Sequence, residues 1–142
     1  MNRIKANYLK ASIISLFIGF CIYILFRNIE NLLFFTKLNL GHFNNNYFKL
    51  TPSIFSNIIK YNIPDMLWFL SGILFVRYIW FDKNYEQKIY IFIFCGIAFF
   101  TEISQLKDNI PGTFDPLDLI FMGLGAFLEG FINRYSRIRS II

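Results

Sequence analysis

The chain has 142 residues, of which 56% are hydrophobic, 20% aromatic and only 16% charged, with a mean hydropathy of +0.48. That balance excludes an ordinary soluble domain, in which about 25% of residues are charged, and predicts a single all-α membrane domain over residues 1–142. The net charge of +5 does not signal nucleic-acid binding, because the basic residues divide by membrane side instead of gathering in one patch.

Four apolar runs predict four transmembrane helices, at about residues 11–28, 64–81, 89–105 and 116–133. The first follows a basic start (Arg3, Lys5, Lys10), but no small-residue cleavage site follows ILFRNIENLLFF, so an uncleaved anchor is expected. Cys21 and Cys95 both fall inside spans and read as small apolar residues without a disulfide. Between the first two spans, residues 31–62 are long for a loop. Within them Thr51 reads as an N-cap with Pro52 at the first helical position, and Phe55, Ile58 and Ile59 share a face. A short amphipathic helix lying on the outer membrane surface is predicted there. His42, in GHFNNNYF, reads as a solvated loop residue.

Charge placement sets the expected orientation. Both termini are placed in the cytoplasm of a bacterial cell, since Arg3, Lys5, Lys10, Lys83, Lys88, Arg134, Arg137 and Arg139 then lie inside. Arg27, Lys37, Lys49, Lys60 and Lys107 lie outside, spread over longer loops.

The second and fourth spans open alike, with Pro64-Asp65 and with Asp115-Pro116-Leu117-Asp118. Proline at a first helical position and acids in the first turn suit a helix N-terminus, so Asp115 is expected to cap. Asp118 lies a turn inside and shares a face with Met122 and Gly125. The third span reaches the same membrane surface from the other direction. Its Glu102 and Gln105 share a face near a helix C-terminus, where the dipole disfavours an anion, so Glu102 needs a donor, a cation or a proton. Deeper, Arg77 and Glu129 each fall thirteen residues beyond the proline of their span, at similar depth, and are expected to form a buried ion pair. Gly123, Gly125, Ala126 and Gly130 offer small surfaces for helix contacts.

Glu102-Ile-Ser-Gln105 closing one span, Asp115-Pro-Leu-Asp118 opening the next, and Gly125 beyond it resemble the VanZ-like family of small bacterial membrane proteins. Asp65 resembles an earlier family aspartate, and the resemblance runs from Pro64 to Gly130. The chain departs from the pattern at Gly112-Thr113-Phe114, where many members have an arginine, at Met122 in place of an asparagine, and at Trp68 in place of a histidine. The resemblance implies a place in the cell envelope and, as in some members, decreased susceptibility to lipidated glycopeptide antibiotics.

Carboxylates just below a membrane surface, with aromatic neighbours, suit a ligand that carries a cationic or amide-rich group and an apolar part. Asp65, Trp68, Glu102, Gln105, Phe114, Asp115 and Asp118 are the expected ligand-binding residues. A non-enzymatic envelope protein that binds a lipid-linked or glycopeptide-type ligand is the favoured reading. An enzyme using Glu102 or Asp118 as base or Mg²⁺ ligand is an alternative, but there is no nucleophile elbow, HExxH or phosphate loop. With neither zinc spacing nor CxxC, no metal and no cofactor are expected. A third reading is an accessory subunit, contacting membrane lipids and protein partners through its glycine-rich helix faces.

Overall fold

The computed structural model describes residues 3–26, 53–106 and 114–138, and all regular structure among them is helical. Helix α1 covers Arg3–Phe26, α2 Ile54–Asn57, α3 Ile63–Ile79, α4 Asn84–Gln105 and α5 Pro116–Ile138. Three of these, α1, α4 and α5, are long and apolar enough to cross a membrane. Their surfaces agree with that. Phe17, Phe92, Phe100, Phe127 and Phe131 are all exposed, which in water would leave an unpartnered apolar surface far larger than soluble proteins tolerate.

Helix α3 is 17 residues long and is the most enclosed element. It carries Phe69, Leu70, Ile73 and Leu74, each at most 5% exposed. The other helices pack around it. Ser12 and Ser71, Gly19 and Trp68, and Tyr8 and Phe81 meet between α1 and α3, so the two are antiparallel. Phe94 over Phe69 and Gln87 beside Arg77 make α4 antiparallel to α3 as well. Asn62 with Asp118, Met66 with Gly125 and Arg77 with Glu129 make α5 parallel to it. The chain therefore runs up, down, up and down around a central α3.

The two ends of this bundle differ in charge. One is basic, holding Arg3, Lys5, Lys83, Lys88 and Arg134, with Lys5 paired to Asp82 at 3.6 Å and Lys83 lying over the Trp80 ring. Near it sits the core, where Tyr8 packs with Leu70 and Leu74 and its hydroxyl donates to Asn133 Oδ1 at 2.9 Å. The other end is acidic, holding Asp65, Glu102, Asp115 and Asp118.

Two expectations about the start of α3 change. The described chain begins its helix at Ser53, whose hydroxyl accepts from Ser56 N–H at 3.1 Å while Ser56 Oγ accepts from Ser53 N–H at 3.0 Å, a capping box. Thr51 and Pro52, the expected start, lie outside the described residues, as do His42 and most of the long loop. More important, no separate surface helix forms among the described residues. Helix α2 passes through the π-helical segment Ile58–Asn62 directly into α3. Pro64 cannot donate a backbone hydrogen bond, and its ring crowds the carbonyl four residues back. Just before it, Ile63 N–H reaches Ile58 O, five residues back, so the widened turn absorbs the proline without breaking the rod. Asp65 is consequently inside a continuous helix and lacks the orphan N–H groups that the expected N-terminus would have given it.

Candidate functional site

At the acidic end, Asp115 caps α5. Its Oδ1 accepts from Leu117 N–H at 2.9 Å, and its carbonyl accepts from Asp118 N–H at 2.9 Å. Asn62, 1% exposed on the π-helical segment, donates Nδ2–H to Asp118 Oδ1 at 2.7 Å and reaches Asp115 Oδ2 at 3.4 Å. The widened turn thus has a second use: it directs an amide donor from the α3 rod onto both aspartates that open α5.

Glu102, in the last full turn of α4, is 7% exposed and stands within electrostatic reach of Asp118 and Asp115. Its Oε1 is buried without a hydrogen-bond partner. A buried acceptor left unsatisfied costs about 1–3 kcal/mol, more for a charged group, and here two further carboxylates add repulsion. A ligand donor or cation would remove both costs.

Glu102 also lines a cavity of about 680 Å³. The floor is one face of α3, Asp65, Trp68, Phe69, Gly72 and Phe75, at helical spacing. One wall is α4, through Phe94, Ala98, Glu102 and Gln105; the other is α1, through Ser12, Ile13 and Leu16. Met122 of α5 completes the lining. Gly72 is what lets α4 close over α3, since a Cβ there would collide with the Phe94 ring. The polar groups are segregated. Asp65, Glu102 and Gln105 gather at the acidic end, aromatic side chains follow, and Ser12 and Ser71 satisfy each other at the far end, each Oγ donating to the other's carbonyl at 2.9 Å.

Of the residues expected to bind ligand, Asp65, Trp68, Glu102 and Gln105 line this cavity. Phe114, Asp115 and Asp118 do not; the two aspartates are bound to Asn62 beside it and act on Glu102 through their charge. Among the described residues no group of three metal-ligating side chains is arranged to hold an ion.

Near the basic end, Arg77 and Glu129 form a salt bridge, with Nε donating to Oε1 and Nη2 to Oε2 at 3.1 Å. Gln87 ties α4 into it. Its Oε1 accepts from Arg77 Nη1 at 2.8 Å, while its Nε2 donates to the carbonyls of Arg77 and Trp80 at 3.2 and 3.3 Å. Three helices are clasped by one polar network that shares no residue with the cavity lining.

The chain matches no protein-family model, no curated protein and no solved structure.

Four residues that the structure brings into play are not picked out from the sequence. Asn62 reads as the end of a loop, because Pro64 reads as a helix start. Gln87, inside DKNYEQK, reads as part of the short inner loop between two spans. For Ser12 and Ser71, a hydroxyl in each of two consecutive apolar runs was a usable signal of interhelical bonding.

Proposed function

We propose that this is a VanZ-like cell-envelope protein of the bacterial cytoplasmic membrane, with four spans, both termini cytoplasmic and an outward-facing acidic cavity. It acts without catalysis, by binding a lipid-linked or glycopeptide-type ligand or altering that ligand's access to the membrane. Helix α3 is the fourth span, lengthened by the continuous segment before it. The orientation is supported by the segregation of Arg3, Lys5, Lys83, Lys88 and Arg134 at the end opposite the carboxylates.

The observation that carries the reading is the unpartnered Glu102 Oε1 at the polar end of an otherwise apolar, aromatic-lined cavity. Such a site suits a ligand with a hydrogen-bond donor or positive group on an apolar body. The test is susceptibility of bacteria to lipidated glycopeptides with the wild-type chain, Glu102→Gln or Asp65→Asn expressed at equal levels. The wild type lowers susceptibility and each variant abolishes the effect; wild-type behaviour from both variants removes the cavity from the function.

An accessory-subunit reading is favoured by a separate observation. Gly123 and Gly130 on α5 and Gly96 on α4 face open space, so these surfaces can accept another helix closely. A partner co-purifying at fixed stoichiometry in mild detergent would support it.

A further inference from the structure

The cavity is a groove with a direction, and its direction narrows the ligand. From Asp65 to Phe75 the floor advances ten residues along α3, about 15 Å, which is about half the hydrocarbon thickness of a bilayer. Among the described residues, the buried oxygen without a hydrogen-bond partner, Glu102 Oε1, lies at one end. Below it the track passes Trp68, Phe69 and Phe94 and ends at Phe75, beside two serines that are already paired to each other. The rim is open sideways, because Leu16, Trp68 and Phe75 are 47%, 48% and 46% exposed on the faces that meet lipid. A molecule can enter from the membrane without crossing the polar end.

Charge decides the head group. None of the described lining residues is basic, whereas Asp65 and Glu102 line the polar end and Asp115 and Asp118 stand behind Glu102. A phosphate there would add to the repulsion. An ammonium brings three N–H donors and a positive charge to Glu102 Oε1, the Asp65 carboxylate and the Gln105 amide oxygen.

We propose that the groove between α1 and α4 holds an outer-leaflet amphiphile with a free ammonium head and one alkyl chain, head at Glu102 and Asp65 and chain along α3 to Phe75. This rests on the envelope reading above and specifies the ligand class of the same cavity. A membrane-embedded amine of this kind is drawn in by its chain and selected by its head.

The test uses Trp68 as the reporter. The chain has two tryptophans, and Trp80→Phe leaves Trp68 alone while keeping a ring to stack on Tyr90. In phosphatidylcholine nanodiscs, the Trp80→Phe protein is titrated with a mid-chain brominated dodecylamine and with the carboxylate and alcohol of the same chain. Saturable quenching of Trp68 is expected from the amine, and only the non-saturating quenching of membrane partition from the other two. Glu102→Gln weakens the amine's apparent affinity by about tenfold or more, and Ala98→Phe, which fills the track, removes the saturable component. Equal quenching by all three head groups, or an unchanged amine curve with Glu102→Gln, overturns the proposal. The head-group comparison needs no variant at the site, so it stands even where a site variant fails to fold. Loss of the susceptibility effect in Glu102→Gln cells without amine selectivity here overturns this ligand class alone and leaves the envelope reading intact; amine selectivity without any susceptibility effect supports this inference and removes that reading.

Discussion

Replacing Glu129 with leucine should destabilise the bundle far more than replacing both members of its pair. The side chains of Arg77 and Glu129 are 13% and 7% exposed, so removing one leaves a buried charge facing a gap. Breaking such a pair costs about 3–5 kcal/mol, whereas replacing both partners with apolar residues of similar volume is often close to neutral. Gln87 modifies the second figure. Its Oε1 loses the Arg77 Nη1 donor in the double variant, while its Nε2 keeps the two backbone carbonyls, so one unsatisfied acceptor remains at about 1–3 kcal/mol. Glu129→Leu alone is therefore expected to lose about 3–5 kcal/mol, and Arg77→Met with Glu129→Leu about 1–3 kcal/mol. Adding Gln87→Leu should recover part of that remainder. Reversible unfolding of the bicelle-reconstituted protein by SDS, analysed as a double-mutant cycle, measures these differences. If the single variants each cost under about 1 kcal/mol, or their costs simply add, the side chains reach the headgroups separately and the clasp is not a closed network.

The glycines separate packing from helix propensity. Gly72→Ala forces Phe94 off Phe69 and into or out of the groove, with an expected loss of about 1–3 kcal/mol, while Gly123→Ala, which meets nothing within 4 Å, should be neutral or stabilising in the same assay. Asn62→Leu removes the donor shared by Asp115 and Asp118, and faster amide exchange in the first turn of α5, with a loss of about 1–3 kcal/mol, is expected; unchanged exchange would show that the two aspartates are solvated independently. Ser12→Ala leaves the Ser71 hydroxyl its bond to the Ser12 carbonyl, so its cost should stay near about 0.6 kcal/mol, and a loss several times larger would contradict that account.

The helices were legible because lipid-facing surfaces make whole segments apolar, and Asp115 was legible as a cap because cap chemistry is local. The start of α3 was not. Pro64 gives the same local signal whether it opens a helix or follows a π turn, and only the packing of residues 58–62 against the bundle distinguishes the two. Glu102 stood out by its wrong-signed position at a helix C-terminus. The groove itself was invisible, since it arises from the separation of α1 and α4 over α3, which no single segment encodes. Arg77 and Glu129 were paired by depth counting from two prolines, but Gln87 enters from a third helix whose register that counting did not fix.

The outward orientation of the acidic cavity is tested most directly by labelling intact cells with a membrane-impermeant maleimide. In a background of Cys21→Ser and Cys95→Ser, one chain carries Leu106→Cys at the exposed end of α4 beside the carboxylates, and another Tyr85→Cys at its opposite, basic end. Labelling of the Leu106→Cys chain is expected in intact cells, and of the Tyr85→Cys chain only after permeabilisation. The reverse pattern would place the carboxylates in the cytosol and contradict it.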